Sequence, residues 1–375
     1  MIRTLAFGLV FGLALGLALA EPPDPPGGEQ PPDRATGEPA VVDLCVDVFD
    51  PEGDPVDVSF FGRRRYGEPF TVIALPDTQY YSRDDPHLFD AQTEWIVEEK
   101  DARNIVFVTH LGDIVNTGSN VTQWDHAENS MSRLEDPQTT NLVDGIPYGL
   151  AVGNHDQAPL GSPRSGGDEG ATTVQFNERF GKHRFADRAY YGGAYDFGDP
   201  ARYPDNNDNN FEFFSAGGMD FLYIHLEYDM IASAARTAVL NWLDNMVLAH
   251  PDKRVLITTH ALISNFGVFT DQGQAVYDQL KDNPNVFMMY GGHFTGARRR
   301  ADLHQGHVIF SILADYQGWD LGGGAYLRIM TFVPEADEIR FETYSPWYDS
   351  YDTTDANQFV LSYPMVDPLP FRQVG

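Results

Sequence analysis

Cysteine and basic residues are scarce in this chain. Cys45 is the single cysteine among 375 residues, so an intrachain disulfide is excluded, and we interpret this residue as a small buried hydrophobe. Lysine and arginine together number 25 against 55 aspartates and glutamates, which gives a formal net charge of -30. Such acidity disfavours non-specific binding to nucleic acid or anionic lipid, and no nucleic-acid partner is expected. Any phosphate ligand therefore needs local positive charge from metal ions or arginines.

Long apolar runs are also scarce, and the longest stands in the first twenty residues, "MIRTLAFGLVFGLALGLALA". Arg3 precedes an apolar stretch that ends in small residues, which is typical of a signal peptide over 1–20 cleaved before Glu21. A membrane anchor is the alternative, but the run is shorter than the ~20 apolar residues of a spanning helix. We therefore expect a secreted or periplasmic protein without a membrane span once the signal is removed.

Composition changes along the chain indicate three further regions. Residues 21–40 are rich in proline, glycine and acid and are typical of a linker. Residues 41–66 alternate like a short β segment around an acidic turn at 50–54, which is either solvated or a calcium site. Residues 67–365 carry the longer apolar runs and are expected to form the main domain.

Short apolar runs alternate with amphipathic segments in this main domain. Strands are predicted at 70–75, 104–112, 146–153, 254–260 and 285–293, with hairpins at 211–228 and 325–346. Segments with helical spacing lie at 90–104, 121–136, 233–251 and 274–283. Strands alternating with helices predict a layered α/β domain.

Each of the five single strands is followed by side chains of types that can bind metals. They are Asp77, Asp113, the pair Asn154-His155, His260 and His293. One such residue alone is better explained as a helix cap or a core histidine. Because functional groups collect at the carboxyl ends of strands in α/β proteins, the ordered set predicts one shared cleft.

The motifs "PDTQ", "HLGDIVN", "VGNHD", "TTH" and "GGH", in this order, resemble the calcineurin-like metallophosphoesterase superfamily. The chain is especially similar to exported bacterial members that carry "ALPDTQYY", "LADYQ" and "TYSPW". The resemblance implies a four-layer α/β/β/α sandwich and two divalent metal ions, with Mn, Fe, Zn and Ca all open. It also implies hydrolysis of a phosphate mono- or diester substrate by metal-bound hydroxide.

The same resemblance implies a role for each motif residue. Asp113 would bridge the two metals, with Asp77 and Gln79 completing the first site. Asn154, His260 and His293 would complete the second site. His155 would be the catalytic histidine beside the metals, with Asp113 also essential for catalysis, and Asp156 would hold the turn.

Three positions depart from the family pattern. Gln79 and Thr295 stand where histidines usually bind the first metal, and Asn116 replaces an acid that often orients the catalytic histidine. The first site is therefore filled by a harder ion, loosely occupied, or completed by another side chain. A degenerate binding or surface module with one or no metal is the alternative to an enzyme.

Other polar residues are candidates for contacts outside the metal ligands. Asn116 and Arg298 are predicted to bind substrate, although the run Arg298–Arg300 is equally well explained as a solvated edge turn. Tyr80 and Tyr81 either line the pocket or pack in the core. We interpret "DNNDNN" at 205–210 as a surface turn, with calcium or ligand contact as the alternative.

Overall fold

The computed structural model describes most of the main domain and only short pieces elsewhere. The described residues are 67–163, 172–197, 201 and 204–365, with the short segments 6–9, 27–30, 45–47, 49, 60–63 and 372–374. The chain divides into two compact units, one over Glu68–Met365 and one formed by Met1–Gly67 with Val366–Gly375.

The smaller unit is described only as paired strands. Phe60–Arg63 pairs with Ala6–Leu9 and with Arg372–Val374, and Cys45–Asp47 pairs with Gly27–Gln30. The predicted turn at 50–54, the side chain of Cys45, and most of the predicted signal and linker segments lie outside the described residues.

The larger unit alternates strands and helices in its first half and is mainly β at its end. Its strands are β1 Phe70–Leu75, β2 Ile105–His110, β3 Tyr148–Leu150, β4 Tyr191–Ala194, β5 Asn210–Ala216, β6 Met219–Leu226, β7 Arg254–Thr259, β8 Val286–Gly291, β9 Gly296–His304, β10 His307–Asp315, β11 Leu327–Val333, β12 Glu338–Ser345, β13 Ser350–Asp352 and β14 Phe359–Ser362. Its helices are α1 Gln79–Asp84, α2 Pro86–Glu99, α3 Val121–Ser132, α4 Pro137–Thr140, α5 Val174–Phe180, α6 Lys182–Phe185, α7 Ala234–Ala249 and α8 Asp271–Leu280. In the described part of the chain, none of the helices is long and apolar enough to cross a membrane.

Two seven-stranded sheets organise this unit. One has the order β9-β10-β8-β7-β6-β5-β4, and the other has the order β13-β12-β11-β1-β2-β3 with β14 beside β12. In the first sheet β6, β7, β8 and β10 are parallel, and in the second β1, β2 and β3 are parallel. The carboxyl ends of the parallel strands in each sheet therefore lie at one edge.

Three apolar layers separate four layers of secondary structure. Ile73 and Val108 face helices α2 and α3, whereas Val72 and Phe107, which point the opposite way, meet the other sheet. A third layer packs the far side of that other sheet against α7 and α8, as at Ile257. Strands covered on both faces read as continuous apolar runs, which is why the sequence revealed them. The predicted four-layer α/β/β/α sandwich is confirmed.

The predicted surface turn at 205–210 is wrong for most of its length. Residues 206–210 are all buried. The Asn207 amide donates to the Phe180 carbonyl at 2.8 Å, and the Asn210 amide donates to the Leu150 carbonyl at 3.0 Å. These two amides satisfy main-chain carbonyls at the ends of α5 and β3, which compensates part of the cost of burying the polar segment. The prediction of an exposed turn depended only on the polar composition of the segment.

Phe107 stacks between the two sheets and provides a stability prediction. Its ring centroid lies 5.0 Å from that of Phe214 and 5.2 Å from that of Tyr223. We expect Phe107→Ala to lower the free energy of unfolding by about 3–5 kcal/mol, because it leaves a cavity that the packed sheets cannot fill. Urea unfolding measures this loss. Val360→Ala, at a side chain 54% exposed, serves as the control and should change stability by less than about 0.5 kcal/mol.

Glu212 and His225 form a buried polar pair at the sheet interface. His225 Nδ1 lies 2.9 Å from Glu212 Oε2, and its Nε2 lies 2.9 Å from Thr109 Oγ1. Burial raises the pKa of Glu212 well above its ordinary value of 4.5 and lowers the pKa of His225 to about 3. Burial therefore favours the neutral form of both groups in the folded protein.

This neutral pair predicts a pH-dependent effect of Glu212→Gln. Above pH 4.5 the unfolded chain releases the Glu212 proton while the folded chain keeps it, so wild-type stability falls as the pH rises. A glutamine side chain fills the same space and has no acidic proton to release, so it avoids this penalty. We expect the variant to gain stability over the wild type by up to about 1.4 kcal/mol for each pH unit above the ordinary value.

Urea unfolding at pH 5 and pH 8 tests this expectation. A stability difference between Glu212→Gln and the wild type that is the same at both pH values would contradict a neutral buried Glu212. Glu335→Gln, at an exposed position, is the matched control and should show no pH-dependent difference.

Candidate metal centre

The sequence-predicted ligands lie in loops that follow the parallel strands. Asp77 follows β1, Asp113 follows β2, Asn154 follows β3, His260 follows β7 and His293 follows β8. Both sheets therefore bring their carboxyl edges to one place.

Three of these residues have a left-handed backbone although they are not glycine. The φ angles are 30° at Asp77, 51° at Asp113 and 74° at His293. Such conformations cost on the order of 1–3 kcal/mol each and persist where the surroundings impose them. The strain is concentrated in the loops that hold the ligand side chains.

Asp113, Asn154 and the two histidines converge at one position. His260 Nε2 lies 3.1 Å from Asp113 Oδ2 and 3.2 Å from Asn154 Oδ1. His293 Nδ1 lies 2.8 Å from Asn154 Oδ1 and 3.3 Å from His260 Nε2. One ligand atom from each of Asp113, His260 and His293 lies within 4.8 Å of the others. These residues are close enough to share a single cation.

The ring of His260 is oriented for coordination by a main-chain contact. Its Nδ1 lies 2.9 Å from the Leu111 carbonyl oxygen, which can only accept a hydrogen bond. The Nδ1 proton is therefore held by that carbonyl, and Nε2 faces the other ligands. This arrangement is the usual support for a metal-binding histidine.

Asp77 and Gln79 adjoin this position from the other side. Gln79 Nε2 lies 3.5 Å from Asp113 Oδ2 and also donates to Gln317 Oε1. The main-chain N–H of His293 donates to Asp77 Oδ2 at 2.9 Å. Asp113 is thus the residue that links both groups of candidate ligands.

Two glycines permit this close approach. A methyl group at Gly153 would overlap Asp113 Oδ1, and one at Gly292 would overlap Asp77 Oδ1. The glycines that precede Asn154 and His293 in the motifs are therefore required by space at the carboxylates.

Buried carboxylates dominate the electrostatics of the site. Burial raises the pKa of Asp77 well above its ordinary value, and the carboxylates of Asp315 and Asp113 raise it further. Burial also raises the pKa of Asp315 to about 6 and that of Asp156 to about 8. Among the described residues, no lysine or arginine forms an ion pair with these four acids. The concentration of negative charge favours cations.

The two central ionisable groups stabilise each other's charged forms. Burial would raise the pKa of Asp113, but the His260 imidazole holds it below its ordinary value. Burial would lower the pKa of His260, but Asp113 raises it. Burial lowers the pKa of His293 to about 4, with His260 adding to the effect. His293 is consequently a neutral imidazole at pH 7, as a metal ligand must be.

The donor set fits divalent cations. Asp77 Oδ1 and Gln79 Oε1 are buried and have no hydrogen-bond partner. An orphaned buried oxygen costs about 1–3 kcal/mol, and coordination would remove that cost. Carboxylate, amide and imidazole donors together suit Mn, Fe and Zn, and the oxygen donors also suit Ca.

His155 lies beside the cluster and is positioned by main-chain groups. Its main-chain N–H donates to Asp113 Oδ1 at 2.8 Å, and its ring Nδ1 lies 2.8 Å from the Asn116 carbonyl oxygen. The orienting acceptor is therefore the backbone of Asn116, so the missing acid side chain is not needed for this contact. Asp156 accepts from the N–H groups of Gly153 and Val115 at 2.8 and 3.0 Å and holds the loop.

Sequence reasoning missed several residues of this site. Buried His110 lies 3.0 Å from Thr78 Oγ1 and accepts from the Gly112 N–H, so it ties two ligand loops together. The Tyr228 ring, which follows β6, lies 5.5 Å from that of His293. Asp315 ends β10, and Gln317 follows it with its Nε2 3.4 Å from Asp77 Oδ2 and 2.9 Å from Asp315 Oδ2. The rule that strand ends carry function would have found Tyr228 and Asp315.

Arg298 is not joined to the ligand cluster by a hydrogen bond. It lies in β9, where its Nε donates to the Asn265 carbonyl at 3.0 Å. The run Arg298–Arg300 therefore forms an edge strand rather than the turn considered from sequence. Tyr81 is buried and donates to no ligand residue, but its hydroxyl accepts from the Ala325 N–H at 3.0 Å. Substrate binding by Arg298 and Asn116 stays a prediction.

The fold and the site define a four-layer α/β sandwich with a buried candidate centre for divalent cations. The sequence model of the calcineurin-like phosphoesterase family matches residues 70–297, more than half of the chain. The chain belongs to the calcineurin-like phosphoesterase family.

The chain is also similar to individual proteins and solved structures over most of its length. The chain is 31% identical over 307 residues to the uncharacterized protein YvnB of Bacillus subtilis (strain 168), a match that covers 78% of this chain and 22% of that protein. The chain thus spans less than a quarter of that relative's length. It is similar in fold to purple acid phosphatase PPD1 from yellow lupin (Lupinus luteus) seeds, with 14% identity, a TM-score of 0.51, and coverage of 85% of this chain and 59% of that one. A dimetal phosphatase from Danio rerio matches 78% of this chain and 99% of its own, with 16% identity and a TM-score of 0.47.

Proposed function

We propose that this chain is a metal-dependent phosphohydrolase that cleaves a phosphate mono- or diester. The observation that carries the proposal is the convergence of Asp113, His260 and His293, whose ligand atoms lie within 4.8 Å of one another. Family membership supports the same reaction class. The retained His155 also supports an enzyme, because a scaffold needs no oriented imidazole beside its ligands.

Each residue of the site has a separate role in this proposal. Asp77, Gln79 and Asp113 would hold one cation, and Asp113, Asn154, His260 and His293 would hold the other. When bound, the cations neutralise phosphate charge and lower the pKa of a coordinated water. The Nδ1 atom of His155 is hydrogen-bonded to the Asn116 carbonyl oxygen. The other ring nitrogen, Nε2, would therefore be available to act on the substrate.

His155 is proposed as the proton donor for the leaving oxygen. As the bond between phosphorus and the attacking water oxygen forms, the bond to the leaving oxygen breaks, and Nε2 delivers a proton to that oxygen. Proton transfer by a positioned histidine contributes roughly 10²–10⁴-fold to a rate.

Turnover of simple phosphoesters tests the proposal. The full chain is stripped with a chelator, reloaded with Mn²⁺, Zn²⁺ or Ca²⁺, and assayed on p-nitrophenyl phosphate and bis(p-nitrophenyl) phosphate. We expect metal-dependent hydrolysis of at least one ester. A chain that binds two cations and hydrolyses neither ester would refute the enzyme and support a binding module of the same fold.

We also propose that the protein is exported. The supporting observation is the N-terminal pattern of one cation, an apolar run and small residues before Glu21. Mass determination of the mature protein from a Gram-negative host is expected to show a chain that starts at Glu21. A full-length chain retained in the cytoplasm would contradict export.

A further inference from the structure

The first ligand group lacks both imidazoles that the family pattern places there. Gln79 replaces one, and Thr295 replaces the other. Thr295 is exposed, and its side chain lies against Gly318. Neither residue supplies a nitrogen ligand, so the group needs other donors to hold a cation.

The loop after β10 brings two such donors. Strand β10 runs parallel to β8, so its carboxyl end reaches the same edge as His293. Asp315 ends the strand and is fully buried. Its Oδ1 accepts from the Gln317 N–H at 2.8 Å, and its Oδ2 accepts from Gln317 Nε2 at 2.9 Å. The loop is thereby folded back over its own carboxylate.

Gln317 connects this loop to the first ligand group. Its Nε2 lies 3.4 Å from Asp77 Oδ2 as well as 2.9 Å from Asp315 Oδ2. Its Oε1 accepts from Gln79 Nε2. Two carboxylates of like charge therefore face one amide nitrogen, a weak and uncharged donor. A cation would compensate the two charges far better.

Unpaired oxygens in the same place indicate a missing ligand. Asp77 Oδ1 and Gln79 Oε1 are buried without a hydrogen-bond partner. Gln317 Nε2 lies within 3.4 Å of both Asp77 Oδ2 and Asp315 Oδ2, so the two carboxylates lie close together. The acidic cluster thus coincides with orphaned polar atoms, which hydrogen bonds within the cluster do not satisfy.

We propose that Asp315 and Gln317 replace the absent histidines and make the first cation position an all-oxygen site. Its donors would be the carboxylates of Asp77, Asp113 and Asp315 and the amide oxygens of Gln79 and Gln317, each amide presenting oxygen after a half-turn of its terminal group. The second position keeps imidazole donors. The inference rests on the proposed function only in assuming that the site holds divalent cations.

Different donor sets imply different ions at the two positions. Hard ions such as Mn²⁺ and Ca²⁺ prefer carboxylate and carbonyl oxygen, whereas Zn²⁺ is well suited to imidazole. The site would therefore load as a mixed pair, with Mn²⁺ or Ca²⁺ beside Asp315 and Zn²⁺ beside His260.

Metal stoichiometry tests the proposal without any activity measurement. The full chain is stripped, titrated with Zn²⁺ and then Mn²⁺, and analysed for bound metal by elemental analysis and for Mn²⁺ affinity by electron paramagnetic resonance. We expect one Zn²⁺ and one Mn²⁺ per wild-type chain. Asp315→Asn should keep Zn²⁺ and weaken Mn²⁺ binding by at least roughly tenfold, the smallest loss usual for an outer-shell partner.

Two further variants keep the test decisive. Asp320→Asn changes an exposed aspartate in the same loop and should bind both ions like the wild type. Gln79→His restores one imidazole and should allow Zn²⁺ to fill both positions. Circular dichroism confirms that each variant is folded, and Gln317→Ala, expected to weaken Mn²⁺ binding alone, serves if Asp315→Asn does not fold.

Specific outcomes would overturn the inference. Wild-type Mn²⁺ affinity in folded Asp315→Asn and Gln317→Ala would exclude both residues as ligands, and two tightly bound Zn²⁺ ions in the wild type would exclude an all-oxygen site. These outcomes are separable from failure of the proposed function. A chain that binds one Zn²⁺ and one Mn²⁺ but hydrolyses no ester would support the all-oxygen site and contradict the proposed phosphohydrolase activity.

Discussion

Asp113→Asn is expected to abolish loading of both cation positions and to lower kcat/KM by roughly a thousandfold or more. Asp113 Oδ2 lies 3.1 Å from His260 Nε2 and 3.5 Å from Gln79 Nε2, so one oxygen faces both ligand groups. Asparagine keeps the shape but removes the charge. Cations supply several kcal/mol of charge stabilisation, and each 1.4 kcal/mol is about tenfold in rate.

Elemental analysis and steady-state kinetics on the same preparations measure this effect. Asp187→Asn, at an exposed aspartate, is the matched control and should retain full metal content and activity. If Asp113→Asn kept two cations per chain and more than a tenth of the wild-type rate, Asp113 would not link the two positions.

His155→Ala is expected to lower kcat by about 10²–10⁴-fold while leaving the metal content unchanged. The Nδ1 atom of the His155 ring lies 2.8 Å from the Asn116 carbonyl oxygen, and no hydrogen bond among the described residues joins the ring to a predicted metal ligand. Its loss should therefore remove proton transfer without emptying the cation positions. Elemental analysis separates this variant from Asp113→Asn.

The leaving group sharpens the test of His155. A proton donor matters most for a basic leaving oxygen, so the loss should be larger for an alkyl phosphoester than for p-nitrophenyl phosphate. An equal loss for both esters would contradict the role of His155 as the proton donor. His183→Ala, at an exposed histidine, should change neither rate.

Most strands of the sandwich were predictable because strands that are buried on both faces have continuous apolar runs in the sequence. The run at 70–75 was predicted with its observed bounds, and those near Ile105–His110 and Arg254–Thr259 within a few residues. The motif residues follow these runs directly. Acids, amides and imidazoles that directly follow several buried strands are best explained as parts of one shared functional site.

Other features depended on contacts that sequence patterns do not carry. The buried segment 206–210 looked exposed because its hydrogen-bond partners, such as the carbonyls of Phe180 in α5 and Leu150 in β3, are distant in the sequence. The run Arg298–Arg300 looked like a turn because strand β9 sits at a sheet edge, where alternation of apolar residues is weak. Gln317 carries no metal signal of its own.

The sequence by itself determined the family of the chain and the side chains that stand at the strand ends. Hydrophobic runs and the residues that terminate them involve only neighbouring positions in the sequence. They can therefore be recognised without knowledge of the tertiary structure. Only the tertiary structure decided which loops meet, and so that Gln317 rather than Thr295 contacts Asp77. That choice depends on strand order and on the packing of two sheets, which arise from contacts between residues hundreds of positions apart.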